Sequence, residues 1–175
     1  MKKVFYVLTV CLAATLFFSC ASTRERMRDP AAARLNTIGG SMGTAITAPQ
    51  LLFTLRGTYA PWRCSFFELG LDAGLGNPST LTYYSLYPYA RYAFYLPFMD
   101  NAGWYAGAGV GVMLSQYTFE NKNLYGNYSN DSAALAADIA TGVNILDMIN
   151  ISYSLRTNFR GANSKISVGY THRFK

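Results

Sequence analysis

Charge is scarce in this chain. Asp, Glu, Lys and Arg together make up 14% of its residues, against about 25% in ordinary soluble domains. Histidine occurs once, at His172, which leaves little room for catalysis that pairs His with a nucleophile and a carboxylate. The three cysteines, Cys11, Cys20 and Cys64, show no CxxC metal spacing and no disulfide framework. No cluster of His, Cys and Asp has metal-ligand spacing either, and "GAGVG" lacks the helix that a dinucleotide loop must open. No cofactor is implied. A sustained helical period is also missing after residue 35. The net charge of +6 is scattered, with two lysines near the start and no basic stripe, so nucleic acid is excluded as a partner.

What is abundant points one way. Hydrophobic residues reach 51% and aromatics 15%, with 14 Tyr, 11 Phe and 15 Gly. These are strand formers, with glycine for turns or crowded places.

The first apolar run, residues 4–18 behind Lys2 and Lys3, fits the h-region of an export signal and is short for a spanning helix. Two cleavage readings compete. "LFFSC" makes Cys20 the acylated first residue of a lipoprotein, whereas "SCA" allows an ordinary cut after Ala21. Lipidation at Cys20 is the expectation. Residues 1–20 are then the signal, 21–35 a polar tether and 36–175 the folded domain. Cys64 is left as a buried apolar filler.

From residue 36 the chain breaks into eight alternating runs: 36–47, 51–60, 64–75, 83–96, 103–119, 132–145, 149–159 and 165–174. Most approach the 9–11 residues that a tilted strand needs to cross a bilayer. Short connections at 60–63, 97–102 and 146–148 alternate with longer polar ones at 76–82 and 120–131, although the first and last loops are short. That is an up-and-down order with tight turns at one end.

Parity then separates two faces. Phe67, Leu69, Leu71 and Leu75 oppose Glu68, Gly70, Asp72 and Gly74; Ile151, Tyr153 and Leu155 oppose Ser152, Ser154 and Arg156. A soluble barrel alternates too, but its polar face would be outside and rich in Lys and Glu. Here that face holds Gly, Ala, Ser, Asn and isolated charges of both signs, which suits a narrow packed lumen. The apolar face must therefore meet lipid. Aromatics sort by height: Tyr59, Trp62, Phe67, Phe94, Trp104 and Phe174 at the tight-turn end, and Tyr84, Tyr117, Phe119 and Phe159 at the other. The fold class expected is an all-β, eight-stranded antiparallel up-and-down transmembrane β-barrel with a packed polar lumen.

The inward charges Arg56, Glu68, Asp72, Arg91, Asp138 and Arg156 cannot stay unpaired in such a lumen. They are expected to form an ion-pair and hydrogen-bond network that plugs it, with Asp138 and Arg156 directly opposite each other and Arg56, Glu68 and Arg91 at similar heights. A proton or ion path is the functional alternative.

Two stretches carry a resemblance. "SVGYTHRF" at the C-terminus resembles the assembly signal of bacterial outer-membrane barrels through Gly169, Tyr170 and Phe174, although His172 stands where that signal favours an apolar residue. "ARYAFYLPFMDNAGWYAGAGVGVML" (residues 90–114) resembles the strand–turn–strand passage of small OmpA/OmpX/OmpW-like barrels. The resemblance implies an outer-membrane location in a Gram-negative-type envelope, with membrane lipids and the barrel-assembly machinery as partners. With no catalytic constellation among the residues, the role expected is non-catalytic, structural or adhesive, with an extracellular ligand met at the loops, where Tyr125 and Tyr128 are candidate contacts. The alternatives are an OmpW-like conduit for small apolar solutes and a lipid A-modifying enzyme; for the latter, His172 faces outward with no nucleophile or carboxylate beside it.

Overall fold

In the computed structural model, residues 34–45, 51–76, 81–119, 128–159 and 161–174 are described. Eight strands follow in chain order: β1 (Thr37–Ala45), β2 (Leu51–Tyr59), β3 (Ser65–Gly76), β4 (Leu81–Met99), β5 (Ala102–Phe119), β6 (Tyr128–Ile145), β7 (Ile149–Thr157) and β8 (Ala162–Arg173). Each pairs antiparallel with the next. β1 closes on β8 from Thr37↔Arg173 to Ala45↔Lys165, so the sheet is a closed barrel. Closure removes the free edges that an open sheet would carry.

The parity of the sequence is the parity of the wall. Leu55, Leu69, Leu135 and Ile139 are each more than 60% exposed, while Glu68, Asp72 and Asp138 are within 2% of full burial. Carboxylates inside and leucines outside invert a soluble core. Hydrocarbon is the solvent that tolerates this arrangement, and the barrel is transmembrane. Around its outer wall, Trp62, Phe67, Tyr92 and Phe94 form a chain of ring contacts with centroids 5.1–6.2 Å apart. This is a continuous stretch of the aromatic girdle at the tight-turn end.

Several boundaries differ from expectation. β4 begins at Leu81 and β6 at Tyr128, inside segments expected to be loops, because their pairing with β5 continues outward to Leu81↔Phe119 and Tyr128↔Phe119. The wall is consequently tall at β4, β5 and β6, which have 18 or 19 residues, and low at β1, β2 and β7, which have nine. Cys64 belongs to the β2–β3 turn rather than to β3. Phe159 lies past the end of β7 with φ 64°, in a turn tied by Gly161 N–H to Asn158 Oδ1 (2.9 Å) and Phe159 N–H to Thr157 Oγ1 (3.1 Å). These side-chain bonds supply local partners that end the ladder. At the β6–β7 turn, Leu146 and Asp147 both take positive φ, as a tight primed turn requires.

Candidate functional site

A pore, if there were one, would run through the lumen, so its contents decide what the barrel can do. From the loop end inward, the first ionic layer centres on Asp72 of β3. Its carboxylate accepts from Thr54 Oγ1 (2.7 Å), Lys165 Nζ (2.8 and 2.9 Å) and Arg156 Nη2 (2.5 Å). The Arg156 guanidinium also lies 3.5 Å from the Tyr87 ring centroid. Strands β2, β3, β7 and β8 are thereby tied across the interior.

The next layers are aromatic and then ionic. Tyr87 and Tyr89 stack with centroids 5.6 Å apart, packed with Ala136. Tyr89 donates its hydroxyl to Glu68 Oε1 at 2.8 Å. Arg91 donates through Nη1 to that same Glu68 oxygen at 2.9 Å and through Nη2 to Asp138 Oδ2, bridging β3 and β6. All three ionic side chains are buried. Arg91 pairs with both carboxylates, since an uncompensated buried charge is strongly unfavourable.

Toward the tight-turn end the lumen holds one further cation, Arg56, and then turns apolar. Arg56 Nη1 donates to the Tyr105 hydroxyl (3.0 Å), which in turn donates to Asn150 Oδ1 (3.1 Å). Tyr105 also belongs to a buried apolar cluster with Leu35, Ala60, Phe66, Ala93 and Tyr95, in edge contact with Phe66 at 5.7 Å. The tyrosines fit because glycines face them: a Cβ at Gly70 would strike the Tyr89 ring, and one at Gly111 the Tyr87 ring. Closing the base, Arg173 Nη1 donates to Asp147 Oδ1 (2.5 Å) and Arg173 Nη2 to the Arg34 carbonyl (2.7 Å).

The six charges expected inside, Arg56, Glu68, Asp72, Arg91, Asp138 and Arg156, are all buried or nearly so within this lumen. Their pairing differs from expectation. Asp138 and Arg156 do sit opposite in register, yet Asp138 is taken by Arg91 and Arg156 by Asp72. Arg56 is bonded to Tyr105 and not to Glu68. A guanidinium on a long stem reaches across a narrow lumen as readily as along the ladder, so height matters as much as register. Lys165, Tyr89 and Tyr105 were not anticipated as members; the inward parity of each was the available signal.

Among the remaining candidates, His172 is exposed on the outer wall, its ring 5.1 Å from that of Phe174. Gly169 pairs with Ser41, and a Cβ there would strike the β1 backbone. Tyr170 and Phe174 point outward on the last strand and just beyond it. Tyr125 and Cys20 lie outside the described residues. Tyr128 is the first residue of β6, opposite Phe119, and not a loop residue. Cys64 is disulfide-bonded rather than left alone.

Closed, eight-stranded, polar within and apolar without, the chain has a shape that other proteins share. Neisserial surface protein A (NspA) superposes with a TM-score of 0.56 at 14% identity, covering 79% of this chain and 95% of that one. The fold is that of the small eight-stranded outer-membrane β-barrels. Ail, the attachment invasion locus protein of Yersinia pestis, matches with a TM-score of 0.51 at 12% identity, covering 80% of this chain and 97% of that one. The same Ail in complex with the heparin analogue sucrose octasulfate matches with a TM-score of 0.52. No protein-family model matches the chain, and no curated protein matches it. At these identities the likeness is one of fold alone.

Proposed function

We propose that this chain is a non-catalytic outer-membrane surface protein of a Gram-negative-type envelope, inserted by the barrel-assembly machinery and acting through its loop-end rim. The observation that carries this reading is the filled lumen. Arg91 bridged to Glu68 and Asp138, above an apolar cluster around Phe66 and Tyr95, occupies the middle of the lumen among the described residues and so speaks against a path for solutes. Eight strands give an interior that side chains alone can fill. With the inside occupied, the outside rim is where a partner can act.

That rim is one-sided. Pairing between β6 and β7 stops at Ala137↔Thr157, so residues 128–136 of β6 carry no β7 partner among the described residues. Asp131, Ser132 and Ala133 there are exposed. An extended, exposed strand edge offers backbone donors and acceptors to an extracellular ligand. The attachment protein Ail, whose fold is similar, supports a contact role by its name, and its complex with a heparin analogue makes a sulfated polysaccharide the first ligand to try.

The test uses purified full-length protein in planar bilayers together with cells that display it. The expected results are a bilayer that stays electrically silent and cells that adhere to an immobilised sulfated polysaccharide or matrix protein, with adhesion lost when residues 113–119 and 128–134 are trimmed to a short turn. Steady unitary conductance, or flux of small apolar solutes into proteoliposomes, would replace this reading with the conduit. Acyl-chain cleavage or transfer on lipid A would replace it with an enzyme.

A further inference from the structure

The tight turns of a membrane barrel normally project into water and carry polar side chains. Two of the turns here add large apolar side chains to their polar residues, Asp100 and Asn101 in one and Asp147 in the other. Phe98 and Met99 at the end of β4, and Leu146 and Met148 in the β6–β7 turn, are each at least 50% exposed. The two turns are neighbours, held together by Asp147 N–H donating to the Asn101 carbonyl at 3.0 Å. Four large apolar side chains therefore share one corner of the rim. The β2–β3 turn differs, presenting Trp62 and the exposed charge of Arg63.

This corner is continuous with the wall that meets lipid. The outward positions of β4 read Tyr84, Leu86, Pro88, Ala90, Tyr92, Phe94, Leu96 and Phe98 without a polar interruption. At roughly 3.3 Å per residue and a tilt near 40°, that face is about 35 Å tall. The outward set of β2, from Leu51 to Tyr59, comes to about 20 Å on the same arithmetic. A bacterial outer membrane offers an apolar band of about 25 Å. The β4 side is thus too tall for the band and the β2 side too short; tilting toward the apolar turns seats them in the band, and thinning of the membrane meets the short side.

We propose that the β4–β5 and β6–β7 turns are seated in the periplasmic leaflet, taking phospholipid acyl chains against Phe98, Met99, Leu146 and Met148. The inference rests on the outer-membrane reading above. Asp100 and Asn101 at the tip of the β4–β5 turn then lie at headgroup level, and the β2–β3 turn, with Arg63, lies in water. The barrel contacts lipid unequally around its circumference, with the surrounding membrane thinned beside β1 and β2.

The experiment places single tryptophans in a Trp62→Phe/Trp104→Phe background of the full chain, reconstituted in vesicles of phosphatidylcholine with or without brominated acyl chains. Met99→Trp and Met148→Trp test the inference; Val112→Trp reports the lipid-facing wall and Arg63→Trp the other turn. The expected result is bromine quenching of the Met99 and Met148 probes within about twofold of the Val112 probe, with iodide reaching only the Arg63 probe. Iodide quenching of both turn probes, matching Arg63, overturns the inference and leaves the corner as a docking face for a soluble periplasmic protein. Failure of the Val112 probe to sense bromine overturns the membrane-barrel reading itself. Should the tryptophan-free background not insert, a bimane on Met99→Cys or Met148→Cys in the wild-type tryptophan background gives the same two readouts.

Discussion

Replacing Arg91 by alanine removes the one cation that holds two buried carboxylates. Glu68 and Asp138 are 1% and 2% exposed, and Arg91 donates to both. Glu68 would keep the Tyr89 hydroxyl, which is neutral; Asp138 would lose its one ion-pair partner among the described residues. Breaking a buried pair by deleting one partner typically costs about 3–5 kcal/mol, because a desolvated charge is left uncompensated. The same physics says that the charges themselves stabilise little. An Arg91→Met/Glu68→Gln/Asp138→Asn triple variant of similar volume should therefore return to within about 1 kcal/mol of the wild type. Urea unfolding of the barrel in lipid vesicles, followed by the shift between folded and unfolded bands on an unboiled gel, measures both. Arg91→Ala should unfold at markedly lower urea and the triple variant close to wild type. If Arg91→Ala lost less than about 0.5 kcal/mol, the central bridge would not be holding the lumen, and the argument from buried pairing would fail.

Three further outcomes follow from particular contacts. A Cβ on Gly109 would press on Ala90 O, Asp138 Oδ1 and the Arg91 backbone, whereas one on Gly57 has only Thr37 O at 3.8 Å; Gly109→Ala should destabilise the barrel by about 1–3 kcal/mol and Gly57→Ala should be near neutral in the same urea assay. Phe174→Ala should reduce the amount of barrel reaching the outer membrane in cells while leaving urea stability of refolded protein within about 1 kcal/mol, since Phe174 is exposed on the wall; equal losses in both would assign it to stability instead of assembly. Because Cys64 is disulfide-bonded, it should resist iodoacetamide until reduced; rapid alkylation without reductant would contradict this.

Strand number, order and facing were legible because lipid enforces a strict rule. Every outward residue must be apolar, so Leu69 and Leu71 alternate cleanly with Glu68, Gly70 and Asp72. Where the strands leave the hydrocarbon, that rule lapses. Tyr128 to Asp131 are polar enough to pass for a loop, yet they remain paired with β5, so the height of the β4–β6 wall was hidden. The lumen was half legible. Parity marked its charges, but partners such as Arg56 and Tyr105, 49 residues apart, meet across the interior, where adjacent-strand register says nothing. Lys165 was visible as an inward residue, but its reach to Asp72 depends on the stagger of β8 against β3, a property of the closed cylinder and not of either segment.

The most direct test of the central claim, apolar wall outward and sealed lumen inward, is a nitroxide scan along β3 from Phe67 to Leu75 in reconstituted full-length protein. Collision with oxygen, which concentrates in lipid, is compared at each position with collision with a water-soluble nickel chelate. The account predicts high oxygen and low nickel accessibility at the outward positions Phe67, Leu69, Leu71 and Leu75. Strong nickel accessibility at Leu69 and Leu71 would contradict it.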